Sequence, residues 1–162
     1  MEDLIRLCND LEVQKLACED YVVPRSPNFQ ETIKGWVNHS LFYAIIAVKS
    51  TGEFVGNVGL SPRVTKNREA TLAVTIASHH WSKGYGTEVL NFVIDYAFRS
   101  LALHRVSLGV FALNSRAVAL YKKVGFVEEG RLRKATWIDG EWQDVILMAV
   151  LEDEWPAGRQ KK

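Results

Sequence analysis

The chain has 162 residues, which corresponds to about one domain at the usual ~150 residues per domain. Its apolar fraction of 48% and charged fraction of 24% are those of a globular protein and argue against a disordered, collagen-like or coiled-coil chain. The net charge of +1, from 20 Lys+Arg and 19 Asp+Glu, gives no electrostatic support for nucleic-acid binding.

The sequence also carries no signal for a membrane or an export pathway. The longest apolar stretches, such as Phe42–Val48 and Val145–Leu151, are far shorter than the ~18 residues that a membrane helix needs. The first residues, Met1-Glu2-Asp3, are acidic, whereas a secretory signal begins basic and turns apolar. We therefore predict a cytoplasmic protein with no membrane partner.

Cysteine and histidine spacing predicts neither a disulfide nor a metal site. Cys8 and Cys18 fall in one predicted helix, about 15 Å apart, which exceeds the ~7 Å reach of a disulfide. There is no CxxC motif and no histidine pair at helical i, i+4 spacing. We expect the adjacent His79 and His80 to point in different directions.

In chain order, apolar positions at helical spacing predict a first helix from Leu4 to about Ala17. Asn28 is placed to cap a second helix to about Val37, with Glu31 as its capping-box partner. Period-two patterns then predict three strands, at Phe42–Val48, Phe54–Leu60 and Thr71–Ala77.

The second half of the chain alternates helix and strand before a final hairpin. We predict a long helix over Gly86–Leu101, a strand over Val106–Val110, a short helix capped by Asn114 and stopped by Gly125, and strands over Phe126–Trp137 and Trp142–Leu151. The Asp139-Gly140 pair predicts the hairpin turn, and Trp137 and Trp142 are expected to pack across it.

This order predicts a mixed α/β (α+β) fold, a central mixed sheet with helices on both faces. Neither a doubly wound dinucleotide fold nor an all-β barrel has this order of elements. We expect one domain over residues 1–151 and a polar C-terminal tail over 152–162.

The most informative segment runs from Val74 to Thr87, VTIASHHWSKGYGT. A strand ends, a turn with Gly84 and Gly86 follows, and a long helix begins at once. Backbone N–H groups at such a helix N-terminus favour a pyrophosphate, and Lys83 adds a positive charge. Neither the P-loop nor the GxGxxG fingerprint is present, and a tight turn without a ligand explains the segment equally.

A second segment, NSRAVALYKKVGF, runs from Asn114 to Phe126. Asn114 and Tyr121 are seven residues apart and so share one helix face. An amide and a phenol on one face can bind a polar ligand and donate a proton to it. The alternative is a helix cap and a half-buried core tyrosine.

With both segments in this order and spacing, the sequence resembles the GNAT superfamily of N-acetyltransferases. The closing GRLR, from Gly130, and DVILM, from Asp144, are similar to the branch that acetylates ribosomal-protein N-termini and polyamines. The resemblance covers residues from about Glu12 to Leu151 and implies a three-layer GNAT-type fold with acetyl-CoA as cosubstrate. The edge strand that usually opens this fold is expected to be short or absent here.

The resemblance also implies residue roles. Backbone groups of the third strand would bind the pantetheine arm, the turn would bind the pyrophosphate, Asn114 would hydrogen-bond the pantetheine, and Tyr121 would lie near the sulfur. The cofactor-binding residues implied are Val74, Thr75, Ile76, Ser82, Lys83, Gly84, Tyr85, Gly86, Thr87 and Asn114. Trp81 stands where much of the superfamily has Gln or Arg. The branch named above also has Trp at this place, so the difference agrees with that branch.

The general base departs from the family pattern. Many relatives have a carboxylate at the places that Thr71 and Gly109 occupy here, and neither residue can accept a proton from an ammonium group. Glu69 is the nearest acid and the candidate catalytic base, with His79 or His80 acting through water as the alternative.

The predicted function is acetyl transfer from acetyl-CoA to a primary amine, a peptide N-terminus or a small molecule, with Tyr121 protonating the leaving thiolate. The alternative is a non-catalytic module that binds and senses acetyl-CoA, favoured by the missing carboxylates. An exposed sheet edge also predicts a homodimer formed by strand pairing.

Overall fold

The structure, a computed structural model, describes residues 1–155 and contains one six-stranded mixed sheet. The strands follow the spatial order β1-β2-β3-β4-β6-β5. Their bounds are β1 Phe42–Ala47, β2 Phe54–Pro62, β3 Glu69–Ile76, β4 Arg105–Phe111, β5 Val127–Ile138 and β6 Glu141–Leu151. The helices are α1 Glu2–Cys8, α2 Leu11–Ala17, α3 Gln30–His39, α4 Tyr85–Arg99 and α5 Ser115–Val124.

The sheet is antiparallel except where β3 meets β4. These two strands pair in parallel over only three residues, from Glu69 opposite Arg105 to Thr71 opposite Ser107. The last five residues of β3 keep their pairing with β2, and the later residues of β4 keep theirs with β6. The two halves of the sheet therefore separate beyond Thr71, and a gap opens between β3 and β4.

The main core lies between α4 and the sheet. Leu90, Val93 and Ile94 of α4 are fully buried and belong to one apolar cluster with Leu60 of β2 and Val106 of β4. A fully buried side chain of this kind stabilises the fold by roughly 1.5–3 kcal/mol. The apolar positions whose spacing predicted this helix are therefore the positions that α4 buries against the sheet.

A second, smaller cluster holds the N-terminal helices. Leu7 of α1 and Val13 of α2 pack with Ala77, and Phe54 and Trp81 lie against them. With α4 on the main core and α1 and α2 on this cluster, the predicted three-layer arrangement with helices on both faces is confirmed. The edge strand that usually opens the fold was expected to be short or absent. Within the described residues the first strand along the chain is β1, and it lies at one edge of the sheet.

The predicted first helix is in fact two helices. Asp10 interrupts it and caps α2, because its Oδ1 accepts hydrogen bonds from the N–H groups of Glu12 (3.1 Å) and Val13 (3.4 Å). An Asp side chain at this position satisfies helix N–H groups that would otherwise lack partners. The prediction of one continuous helix with both cysteines in it was wrong.

The predicted cap of the next helix was also wrong. Pro27 begins a short 3-10 turn that contains Asn28, and α3 follows it with Phe29 in the capping position and no side-chain cap. Proline at the start of the turn fixes the backbone before Asn28 can act as a cap.

The C-terminal hairpin matches its prediction. Asp139 and Gly140 both have positive φ, 48° and 84°, as a two-residue type I′ turn requires. Trp137 pairs with Trp142 across the strands, and their rings meet edge to face with centroids 5.3 Å apart. Lys15 of α2 forms a 3.0 Å ion pair with Asp139, so the hairpin turn is attached to the N-terminal layer.

The packed domain extends beyond residue 151. Trp155 is buried against Phe98, and its indole N–H donates to Asp95 at 3.4 Å. Glu152 accepts from Arg68. The predicted tail therefore begins too early at 152, and its remaining residues, 156–162, lie outside the described part of the chain. None of the helices within residues 1–155 has the length and apolar character to span a membrane.

Candidate functional site

The gap between β3 and β4 continues into a cleft of about 560 Å³. Its walls are the C-terminal half of β3, the turn that follows it, the first turn of α4, the end of β4 and one face of α5, with part of α2 at the rim. All of the sequence-predicted cofactor residues except Lys83 line this cleft, and Tyr121 lines it as well. The cleft therefore brings the two chemistry-bearing segments of the sequence together.

The backbone of β3 presents unpaired polar groups to the cleft. Ala77 donates its N–H to Val55 at 2.9 Å, so the alternate residue Thr75 also directs its backbone groups toward β2. Val74 and Ile76 direct theirs the other way, toward the gap. Trp81 Nε1–H donates to the Ile76 carbonyl at 2.7 Å, which leaves the N–H groups of Val74 and Ile76 and the Val74 carbonyl for a ligand.

Thr75 is accordingly an exception among the residues expected to offer backbone groups. Its N–H and C=O are directed to Asn57 of β2, and what it contributes to the cleft wall is its side chain. The alternation of an antiparallel pair makes it impossible for three consecutive residues to offer backbone groups to one side.

The turn between β3 and α4 has a left-handed backbone at two positions. Ser82 has φ 62° and Gly84 has φ 89°, and Gly84 occupies the N-cap position of α4. Successive turn residues of this kind direct several N–H groups to one concave side, which favours an anion. The exposed α4 N-terminus adds its positive dipole end.

Two cations of α5 belong to the cleft lining. Arg116 stacks its guanidinium over the ring of Trp81, 4.0 Å from the centroid, and Lys123 lies on the same helix face, seven residues further along α5. Trp81 thereby contacts both the strand carbonyl below it and the guanidinium above it. Arg116 was not among the site residues predicted from the sequence, although it stands in the second motif, NSRAVALYKKVGF.

Tyr121 is buried, with 9% of its surface exposed, and its ring meets Phe126 edge to face with centroids 5.6 Å apart. Among the described residues, none accepts a hydrogen bond from its hydroxyl or donates one to it. Burial raises the pKa of Tyr121 to about 12, so the phenol is protonated throughout the physiological range.

Asn114 caps α5, as predicted. Its Oδ1 accepts from the Ala117 N–H at 3.1 Å, and its Nδ2 donates to the Leu16 carbonyl at 3.4 Å. The side chain thus joins α5 to the C-terminal end of α2 at the rim of the cleft. It lies on the cleft wall, with both of its polar atoms already in contact with the chain.

Glu69 lies outside the cleft, which is a correction to its selection as the catalytic base. It stands at the beginning of β3, where its Oε1 accepts from Arg105 Nε and Ser107 Oγ, both at 3.1 Å, and lies 3.5 Å from Arg63. The cleft opens at the other end of the strand, so Glu69 is an ion-pair residue of the paired β3–β4 segment. Thr71 and Gly109 do line the cleft, and the carboxylate in its described lining is that of Glu19.

His79 and His80 do not point in different directions. A 3-10 turn over Ser78–His80 brings their ring centroids to 4.3 Å, and His80 also meets Tyr85 edge to face at 5.6 Å. The expectation from adjacency in the sequence was wrong because it assumed an extended strand or an open turn.

Comparison with known proteins assigns this architecture. A sequence profile of the family described as "Acetyltransferase (GNAT) domain" matches residues 1–127. The chain belongs to the GNAT acetyltransferase family. The expected family is thereby confirmed. The expected branch, which acetylates ribosomal-protein N-termini and polyamines, agrees with the relatives described next.

Individual relatives agree with this assignment. The spermidine N(1)-acetyltransferase of Vibrio cholerae is 39% identical over 89 residues, 55% of this chain and 51% of that protein. The spermidine N(1)-acetyltransferase of Escherichia coli K12 is 30% identical over 110 residues, 68% of this chain and 59% of that protein. The matched segments thus span between half and two thirds of the length of these curated relatives.

Solved structures match over a larger share of the GNAT fold. The crystal structure of spermidine N-acetyltransferase from Vibrio cholerae in complex with CoA and spermine superposes with a TM-score of 0.84 at 27% identity. The superposition covers 94% of this chain and 90% of that chain.

Proposed function

We propose that this GNAT protein transfers an acetyl group from acetyl-CoA to a small primary amine. The observation that carries the proposal is the cleft itself, because one cavity holds unpaired strand backbone, a protonated phenol and an anion-favouring turn. Acetyl-CoA has one group for each of these features: its pantetheine amides suit the strand backbone, its sulfur the phenol and its pyrophosphate the turn. The homologous protein crystallised with CoA and spermine supports the same assignment.

Each part of the cleft then has a proposed partner on acetyl-CoA. The Val74 carbonyl and the Ile76 N–H suit the pantetheine amides, which offer N–H donors and carbonyl acceptors. The N–H groups of the Ser82–Thr87 turn suit the pyrophosphate, and Arg116 adds positive charge beside it. Asn114 acts mainly by holding the α5 N-terminus in place.

The proposed reaction is direct transfer. The neutral amine attacks the thioester carbonyl, the C–N bond forms, and the C–S bond breaks with its electron pair going to sulfur. A backbone N–H of β3 in the gap, that of Val74, stabilises the oxyanion, and the Tyr121 hydroxyl donates its proton to the departing thiolate. The proton lost by the attacking nitrogen leaves to water, since Glu69 lies outside the cleft.

Burial affects both partners of the proton transfer. A phenol with a pKa of about 12 is a weaker acid than an ordinary thiol, whose pKa is ~8.5. In the same desolvated cleft the thiolate is also less stable, so its affinity for the proton rises with that of the phenolate. Burial therefore keeps the phenol protonated before the reaction. Because burial also raises the proton affinity of the thiolate, the phenol can still donate its proton when the C–S bond breaks.

We propose that the acceptor is small and carries few positive charges. Spermidine and spermine carry several ammonium groups, and a site for them favours several carboxylates. Glu19 is the one carboxylate in the described cleft lining, which also contains Arg116 and Lys123. The names of the relatives make polyamines the first acceptors to compare against monoamines and peptide N-termini.

A thiol-release assay tests both the activity and the acceptor. Acetyl-CoA is mixed with the protein and with spermidine, spermine, a set of monoamines or short peptides, and free CoA thiol is measured. We expect turnover with small monoamines to exceed that with spermine and with peptides. Tight acetyl-CoA binding without thiol release on any acceptor would instead favour the non-catalytic sensor, for which the lack of a carboxylate at Thr71 and Gly109 is the structural argument.

A further inference from the structure

Three residues that the acetyl-transfer proposal does not use meet beside the cleft. Glu53, His79 and His80 each offer one ligand atom, a carboxylate oxygen or a ring nitrogen, and these atoms all lie within 4.8 Å of one another. Glu53 precedes β2, and the two histidines form the 3-10 turn that follows β3. The antiparallel pairing of β2 with β3 brings the start of one strand beside the end of the other.

His80 is the unusual member of this group. Its side chain has 4% relative exposure, and within residues 1–155 neither ring nitrogen has a hydrogen-bond partner. A buried imidazole normally donates from one nitrogen and accepts at the other, and leaving these atoms unpaired destabilises the fold. Its Nε2 lies 3.2 Å from Glu53 Oε1, yet the direction of approach does not make a hydrogen bond.

That distance without hydrogen-bond direction is typical of two ligands of one metal ion. Zinc binds imidazole nitrogen and carboxylate oxygen at about 2.0–2.2 Å, so neighbouring ligands of a tetrahedral site are about 3.3 Å apart. Their lone pairs then point at the ion between them and not at each other. Glu53 and His79 are exposed, so rotation of these two side chains is the movement expected to close the 4.8 Å group to this spacing.

The surroundings of the group favour a cation. His79 and Glu53 line a cavity of about 390 Å³ that also contains Asp3, Asp10 and Arg6, with apolar walls from Leu7, Phe54 and Ala77. The three carboxylates outnumber the one guanidinium in this lining.

We propose that Glu53, His79 and His80 bind one zinc ion, with water in the fourth position. Two imidazoles and one carboxylate form a zinc-binding set, and imidazole ligands select transition metals over magnesium and calcium. This proposal replaces the expectation of no metal, which rested on histidine spacing along helices. The ion would hold the end of β3 against the start of β2, one residue before Trp81 and the anion-favouring turn.

The test is zinc binding by the full chain, without a histidine tag and after treatment with a chelator. Titration calorimetry with zinc chloride is expected to give one ion per chain, and Co²⁺ is expected to give the visible absorption of a tetrahedral site. His79→Ala and Glu53→Gln change exposed side chains, and each is expected to weaken zinc binding by at least ~100-fold, more than the 10–100-fold cost of losing an outer-shell partner. His39→Ala, an exposed histidine elsewhere, is the matched control and is expected to bind like wild type.

Two results would overturn the proposal. One is the absence of stoichiometric zinc binding by the wild-type chain. The other is binding that neither His79→Ala nor Glu53→Gln weakens while both variants retain the wild-type circular dichroism spectrum. The site would then be an ion pair between His80 and Glu53 only.

Discussion

At the scale of single residues, Tyr121 combines a packed ring with an unpaired hydroxyl. The ring contributes to the core through Phe126, while the hydroxyl has no hydrogen-bond partner among the described residues and lies on the cleft wall. A core tyrosine usually pairs its hydroxyl when it is buried. The free hydroxyl is therefore the part of this side chain that packing does not explain.

Tyr121→Phe separates the two parts, because it removes the hydroxyl and keeps the ring. We expect kcat to fall by at least ~10-fold, about 1.4 kcal/mol of barrier, with little change in acetyl-CoA affinity. Thermal unfolding should remain near that of wild type, since no hydrogen bond is lost. With a pKa of about 12, Tyr121 stays protonated below about pH 11, so wild type should show no loss of rate from its ionisation in that range.

Steady-state kinetics with the best acceptor of the thiol-release assay checks this expectation. A variant that turns over like wild type would show that the phenol is a core residue and that the thiolate takes its proton from water.

At the scale of elements, the β2–β3 pair determines where the cleft begins. Gly56 lies opposite Ile76 at the end of this pair, and a Cβ at Gly56 would lie 2.0 Å from the Thr75 carbonyl oxygen. That oxygen is backbone and paired to β2, so it cannot move away without breaking the ladder. Glycine is required here by close approach of two strands.

Gly56→Ala is therefore expected to destabilise the protein by about 3 kcal/mol, the upper end for overpacking. Gly35→Ala is the matched control, because a Cβ at Gly35 meets nothing within 4 Å in α3. It should stabilise the protein by about 0.5–1 kcal/mol through helix propensity. Urea unfolding measures both changes as shifts of the midpoint, and equal midpoints for the two variants would contradict this account.

Asp10 joins two elements, because it caps α2 and also accepts from the Ser78 N–H at 3.1 Å, at the turn after β3. Partial burial opposes its ionisation, but the hydrogen bonds from Ser78, Val13 and Glu12 outweigh burial and lower its pKa. A carboxylate with a lowered pKa in the folded state stabilises the fold above its ordinary pKa of 3.8. That stabilisation is lost as the pH falls through the folded pKa.

Asp10→Asn should accordingly be less stable than wild type at neutral pH, and the difference should shrink below about pH 4. Asp153→Asn, at an exposed position far along the chain from this cap, is the control and should follow wild type at every pH. Urea midpoints measured with a chelator present, from neutral to acid pH, make the comparison independent of zinc. A difference that stays constant into acid would show that the charge of Asp10 contributes nothing.

At the scale of the whole molecule, the features predicted from sequence are those that local backbone rules determine. The Asn114 cap, the Gly125 stop and the Asp139-Gly140 turn each follow from a few adjacent residues. The helix break at Asp10 was missed because the apolar period continues through it, although the cap that Asp10 forms on Glu12 and Val13 is local. The meeting of Glu53 with His80 was missed for a different reason, since the pairing of β2 with β3 creates it and no local pattern signals it.

The sheet has two edges, and the predicted homodimer depends on the one formed by β1. An open edge presents unpaired N–H and C=O groups to another chain. Ile45 of β1 is 49% exposed, and Leu41 beside the strand is also exposed. The other edge, β5, is interrupted between Leu132 and Thr136, where Lys134 has φ 50°, and such an irregularity opposes strand pairing.

We therefore expect wild type to scatter light as a dimer at tens of micromolar, through β1 edges paired across a two-fold axis. Ile45→Lys places a charge on that edge and should give the mass of one chain. Leu132→Lys makes the same change at an exposed position of β5 and should leave the dimer intact. A wild-type protein with the mass of one chain would refute the dimer, and dissociation by Leu132→Lys alone would assign the interface to β5, because each substitution acts only on the edge that carries it.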